Sequence, residues 1–167
     1  DSNYALTFAS GVSFSITSKE ITVTPVAGQS KIFSDVDQLF TYNVSPALEI
    51  GDALSGSLFR LAGEDIGNYA ITQGGLNGGS NYTLVFNAGI DFTINPKNVT
   101  ITPIVGQSKI YGSVDPVLSY SVLPVLEPGD SFTGSLSRII GDNIGAYSIT
   151  QGSLATSTNY NLLFTSG

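Results

Sequence analysis

The chain has no cysteine, histidine, methionine or tryptophan, and only six of its 167 residues are basic. Without cysteine no disulfide braces the fold, and since cysteine-free chains occur in the cytosol and on bacterial surfaces alike, the absence assigns no compartment. Without histidine or cysteine, the usual nucleophile and base pairs, soft-metal sites and imidazole switches are excluded. Charged residues make up 11% of the chain, against roughly 25% in ordinary globular proteins. A formal charge of -7 with so few cations argues against a nucleic-acid partner, whose phosphates demand Lys and Arg clusters. No apolar run is long enough to span a bilayer, and the first residues do not look like a signal peptide, so any export is expected to be directed from outside this sequence.

What the chain does have is a copy of itself. Shifted by about 78 residues, from Tyr42 to Tyr120, it aligns without a gap at roughly half identity. Gly28-Gln29-Ser30-Lys31-Ile32 returns as Gly106-Gln107-Ser108-Lys109-Ile110, and Tyr69-Ala70-Ile71-Thr72-Gln73-Gly74 as Tyr147-Ser148-Ile149-Thr150-Gln151-Gly152. Asn3-Tyr4 returns as Asn81-Tyr82 and Asn159-Tyr160, so the chain begins and ends at one phase of its repeat. This is expected of a segment of a longer tandem array.

Apolar residues alternate in Tyr4-Leu6-Phe8, Val12-Phe14-Ile16, Phe40-Tyr42-Val44, Tyr82-Leu84-Phe86 and Ile90-Phe92-Ile94, the pattern of half-buried strands. Gly, Pro, Asn and Asp punctuate these runs, and the helix candidate Asp52 to Ala62 is undercut by Gly56 and its serines. The expected fold is all-β, two tandem small domains in an elongated arrangement, with an immunoglobulin-like sandwich favoured and a β-grasp-like sheet as the alternative. Asn87-Ala88-Gly89 and Ala9-Ser10-Gly11 read as hairpin turns, and Asn95-Pro96-Lys97-Asn98 as a short, stiff joint between units. On that phase residues 1–18 are the closing hairpin of a preceding repeat, 19–96 the first complete domain, and 97–167 a second domain lacking its last strand. The competing phase starts units at Val12 and Ile90.

Carboxylates are what remains for catalysis. Glu49 and Asp52 recur as Glu127 and Asp130, and Glu64 as Asp142. Paired acids can hydrolyse glycosides, but a unit this small with no wide aromatic platform is not expected to be an enzyme. Asp65-Ile66-Gly67-Asn68-Tyr69 and Asn143-Ile144-Gly145-Ala146-Tyr147 resemble a tyrosine corner, in which the phenol bonds back to main chain. That makes Tyr69 and Tyr147 structural.

All six cations fall on three repeated positions, Lys19/Lys97, Lys31/Lys109 and Arg60/Arg138, whereas Asp1, Glu20, Asp35, Asp65 and Asp91 are not repeated in kind. The cations are therefore expected to have defined partners, and these five acids to solvate the surface. An ion pair from Arg60 to Asp52 or Glu64 is one reading; a Lys-to-Asn isopeptide crosslink through Lys31 and Lys109 is the sharper one. Calcium is the one candidate cofactor, with Asp35, Asp37, Asp115 and Asp91 as candidate ligands. The sequons at Asn43, Asn81 and Asn98 are read as accidental in a chain so rich in Asn, Ser and Thr.

At Ile21-Thr22-Val23-Thr24-Pro25, Gln29-Ser30-Lys31, Tyr111-Gly112-Ser113-Val114-Asp115-Pro116, Gly134-Ser135-Leu136-Ser137-Arg138 and Gly145 to Gly152, the chain resembles the bacterial MBG repeat domains of large secreted adhesins. The first copy departs from the pattern, with Phe33-Ser34-Asp35 in place of Tyr-Gly and Gln38 in place of Pro. The resemblance implies a secreted or cell-surface, mainly mechanical building block whose partners are neighbouring repeats. Two alternatives stand beside it. One is a glycan- or mucin-binding module in each repeat, with Phe59 as the aromatic to watch. The other is head-to-tail self-assembly by strand addition.

Overall fold

The computed structural model describes residues 3–5, 7 and 9–165; Leu6 and Phe8 of the first alternating run, and Asp1, lie outside them. Among the described residues every regular element is a strand. The first copy contains β1 (Lys19–Pro25), β2 (Ser30–Ile32), β3 (Tyr42–Ser45), β4 (Phe59–Arg60), β5 (Gly67–Thr72), β6 (Tyr82–Phe86) and β7 (Asp91–Asn95). They form two sheets, ordered β3-β1-β6 and β2-β7-β5-β4.

Alternation explains the layering. Val23 of β1, Ile71 of β5, and Phe92 and Ile94 of β7 share one core cluster with Phe40, Leu58 and Leu76, and Tyr42, Val44, Leu84 and Phe86 pack against it. One apolar face of each sheet is therefore buried against the other, and Phe40 meets Phe92 edge-on at 5.2 Å. Fully burying a side chain of this kind stabilises by about 1.5–3 kcal/mol.

The chain is all-β, but the immunoglobulin strand order and the single-sheet alternative both give way to a mixed sandwich. β1 pairs parallel with β6, and β2 parallel with β7, while β1/β3, β5/β7 and β4/β5 are antiparallel. The immunoglobulin frame is built from antiparallel sheets. Asn87-Ala88-Gly89 is accordingly a crossover between sheets and not a hairpin turn. The Asn87 N–H donates to the Val23 carbonyl in the first sheet, and the Ile90 carbonyl accepts from Ile71 in the second. Alternation fixes the face a strand buries, not the strand beside it, and this is why the turn read as a hairpin.

The second copy contains β8 (Lys97–Pro103), β9 (Tyr120–Leu123), β10 (Ser137–Arg138), β11 (Ile149–Thr150) and β12 (Tyr160–Phe164), in sheets β12-β8-β9 and β10-β11. β8 pairs parallel with β12 and antiparallel with β9, as β1 does with β6 and β3. Its core holds Val99, Ile101, Leu136, Leu154 and Tyr160. Among the described residues no strand occupies the places of β2 and β7. Val12, Phe14 and Ile16 also lie outside any strand, exposed to solvent, because no described sheet edge pairs with them.

The two copies meet directly. Pro96 alone separates β7 from β8, and its ring fixes one backbone dihedral. Buried Asn159 accepts from the Ile66 N–H at 3.0 Å and donates to Asp65 Oδ1 at 2.8 Å. The Phe33 ring lies edge-on to Tyr160 at 5.3 Å. Asp65, read from the sequence as a surface-solvating acid, is thus a partner across the joint.

Candidate functional site

The repeated cations converge with acids from distant loops. Lys31 Nζ on β2 lies 2.8 Å from Asp37 and 2.5 Å from Glu64, and Arg60 on β4 grips Asp37 through Nε (2.7 Å) and Nη2 (3.1 Å) and reaches Glu64 at 2.6 Å. Arg60 Nη1 also donates to the Leu61 and Gly63 carbonyls, and its guanidinium lies over the Tyr69 and Phe92 rings at 5.0 and 5.6 Å. Both cationic side chains are almost wholly buried. This is tolerable because every charge has an opposite charge and hydrogen bonds. Arg60 and Lys31 hold the Asp37 carboxyl below its usual range, and Lys31 and Arg60 do the same for Glu64. Burial presses the Lys31 ammonium down, but its bonds to Asp37 and Glu64 prevail and hold it above the ordinary lysine value.

The second copy repeats the arrangement more openly. Arg138 grips Asp115 at 2.9 and 3.0 Å, Lys109 reaches Asp115 at 2.6 Å, and Asp142 stands off at 3.6–3.8 Å. Arg138 and Lys109 lower the Asp115 carboxyl. Arg138 Nη1 bonds the Ile139 and Gly141 carbonyls and the guanidinium stacks on Tyr147 at 5.1 Å.

Tyr69 and Tyr147 stand beside these clusters. Tyr69 Oη donates to the Asp65 carbonyl at 2.7 Å and Tyr147 Oη to the Asn143 carbonyl at 2.8 Å. Each ring lies against a glycine, Gly63 or Gly141, where a Cβ would run into the ring, and Gly63 also has φ +148. The same glycine carbonyl takes the arginine, so tyrosine, glycine and arginine lock one loop together.

A second duplicated constellation serves the remaining cations. Lys19 pairs with Glu49 at 2.6 Å and Lys97 with Glu127 at 2.5 Å. The Glu49 N–H donates to Tyr82 Oη, which donates to Asp52 at 2.6 Å; Glu127, Tyr160 and Asp130 repeat this, with 2.5 Å for the last bond. The hydrogen bond to Asp52 raises the Tyr82 phenol, and burial together with Asp130 raises that of Tyr160. Lys97 holds the Glu127 carboxyl below its usual range.

Several expectations are corrected. Arg60 takes Asp37 and Glu64, not Asp52, which the tyrosine holds. Lys31 and Lys109 Nζ face carboxylates and not an Asn side chain, against the isopeptide reading. The calcium candidates are not brought together: Asp37 and Asp115 are held by cations, Asp35 sits in a turn closed on the Ile32 carbonyl, and Asp91 pairs with Ala70 in the β5/β7 ladder. Among the described residues no three acidic side chains form a group able to hold a metal ion. Phe59 is exposed, opposite Thr72.

Sequence reasoning missed the role of the repeated glutamines. Gln29 bonds the Val26 and Thr41 carbonyls and accepts from the Thr41 N–H, and Gln107 does the same with Ile104 and Ser119. Gln73 and Gln151 close turns onto the Leu76 and Leu154 carbonyls. Their identity in both copies was the available signal.

A family model described as an MBG domain (YGX type) matches residues 21–93 and again residues 99–167. No curated protein and no solved structure matches the chain. Tyr111-Gly112-Ser113 has the Tyr-Gly turn, with Gly112 at φ +85; Ser34 takes the glycine's place in the first copy at φ 73. Among the described residues no helix is long and apolar enough to cross a membrane.

Proposed function

Since the chain belongs to the MBG domain family of the YGX type and carries two copies, we propose that it is a structural segment of a bacterial surface adhesin, holding a binding tip away from the cell. The carrying observation is the joint. β7 runs through Pro96 into β8, Asn159 spans Asp65 and Ile66, and Phe33 packs on Tyr160. A joint with one linking residue and a buried polar bridge resists bending in a way a flexible linker does not.

The remaining features fit a mechanical task without chemistry. The repeated acids are engaged by Lys, Arg and Tyr, so each copy is cross-braced between loops distant in sequence. Such bracing takes the place of disulfides in a chain with no cysteine. Small-angle scattering extrapolated to zero concentration tests the proposal: the two-repeat chain should give the profile of an elongated, fixed pair of domains. A compact globule, or the smeared profile of two freely jointed domains, would overturn it.

A further inference from the structure

The sequence holds one Asn-Gly pair, Asn77-Gly78. Asparagine before glycine is open to attack by its own backbone, because the next residue has no Cβ to keep its nitrogen from the side-chain amide. In the fold this pair is clamped. Asn77 and Ser55 form an isolated antiparallel bridge, each N–H donating to the other's carbonyl at 2.9 Å. Ser55 Oγ donates to Asn77 Oδ1 at 3.0 Å, and the Gly79 N–H donates to the same oxygen at 3.1 Å. Gly78 lies so close to Tyr82 that a Cβ on it would meet the Tyr82 Cβ at 2.6 Å. Tyr82 is itself tied to Glu49 and Asp52.

These bonds keep the nucleophile from its target. Ring closure needs the Gly78 nitrogen and the Asn77 Cβ eclipsed about the Asn77 Cα–C bond. A residue in an antiparallel bridge is extended, with ψ about +135°, which turns the two roughly 100° apart. Asn77 is exposed, so water and solvent base reach it and conformation alone holds the reaction back. We propose that Asn77-Gly78 is a self-modification site gated by the Ser55–Asn77 bridge, inert while the bridge is closed and reactive once it opens.

On opening, the Gly78 nitrogen gives its proton to solvent base and attacks Asn77 Cγ. The new N–Cγ bond closes a succinimide ring as the Cγ–Nδ2 bond breaks and Nδ2 leaves as ammonia. Water then adds to either ring carbonyl, giving aspartate or the isoaspartyl isomer, whose main chain runs through the side-chain carbons. Each product carries one more negative charge. The isomer also adds a main-chain carbon directly after Leu76, which is 1% exposed in the core, and the paired backbone bonds to Ser55 lose their register. The second copy makes the same bridge between Thr133 and Ala155, followed by Thr156, and so has no amide there to react. A first repeat that has opened is thereby marked for good. In the stalk proposed above the mark records strain, although the chemistry holds without that reading.

Peptide mapping by mass spectrometry tests this on the whole chain, aged at neutral pH in buffer and in guanidinium chloride, with isoaspartate scored by isoaspartyl methyltransferase. In denaturant Asn77 should convert before any other asparagine. In buffer its conversion should be at least about tenfold slower, the factor set by local opening of the bridge. Ser55→Ala removes one exposed hydroxyl and should speed conversion in buffer about fivefold, as the loss of one neutral hydrogen bond predicts, while leaving the rate in denaturant unchanged. Equal rates in the two solvents overturn the proposal. So does a rate in buffer that Ser55→Ala leaves unmoved, or a denatured chain in which Asn77 stays intact or another asparagine converts first.

Discussion

Replacing Asn159 by Ala removes the polar bridge between the repeats and leaves both folds otherwise intact. Two bonds are lost, one from Nδ2 to the Asp65 carboxylate and one from the Ile66 N–H to Oδ1. A hydrogen bond to a charged group contributes about 1.5–3 kcal/mol and a neutral one about 1 kcal/mol. Asp65 is exposed, so its share sits at the low end, and a total loss of about 2 kcal/mol is expected. For a coupled unit of about 150 residues that corresponds to a fall of roughly 4–8 °C in melting temperature. The chain supplies its own control, because Asn81, the counterpart of Asn159, is exposed and, among the described residues, its side chain bridges no joint. Asn81→Ala should cost less than about 0.5 kcal/mol, as surface substitutions do. Urea unfolding followed by tyrosine fluorescence measures both. Equal losses in the two variants, or none for Asn159→Ala, would refute the reasoning that the bridge couples the repeats.

Arg60→Ala strands two carboxylates beside a buried lysine and should cost about 3–5 kcal/mol, whereas Arg138→Ala in the open cluster should cost clearly less; the same urea titration checks the order. Stability should also depend on acid. Asp37, Glu64, Asp115 and Glu127 all have lowered folded-state values, against ordinary values of 3.8 and 4.5. Their contribution is therefore full above about pH 4.5 and lost as pH falls through the lowered values. Melting temperatures measured from pH 7 down to pH 2 should be flat and then fall; a rise on acidification would contradict the clusters. A chelator should leave the melting temperature unchanged, since the acids proposed as calcium ligands are held by cations, and a drop of several degrees would reinstate the ion. Glycan and mucin binding assays should give no saturable signal, and binding that Phe59→Ala abolishes would replace the spacer with a recognition module.

Much of this architecture was legible because the chain is its own alignment. Period-two alternation marked β3, β6 and β7 and their buried faces, though the same pattern at Val12, Phe14 and Ile16 lies exposed outside any strand, and six cations on three repeated positions announced partners before those were known. Pairing was not legible. The burial pattern of β6 would be the same beside any neighbour, so nothing in Tyr82 to Phe86 revealed the parallel ladder with β1, and the crossover at Asn87-Ala88-Gly89 read as a hairpin. Asn159 and Asp65 were hidden for a different reason. The Asn recurs in each copy, but Asp65 becomes Asn143, so a contact between copies leaves no shared acid to follow. Tyr82 and Asp52, with Tyr160 and Asp130, are repeated in full, and that coincidence was the missed signal for the phenol-to-carboxylate link.

The most direct test of the two repeats as one stiff segment uses the absence of cysteine. Val36 and Val125, exposed and in different copies, can each be replaced by Cys and spin-labelled without competition from native thiols. Pulsed electron resonance on the doubly labelled chain, diluted until it is monomeric, should give one narrow distance distribution that broadens when Asn159→Ala is added. A distribution already broad in the parent, and unchanged by that substitution, would mean that the repeats are flexibly tethered and that the joint does not make a stalk.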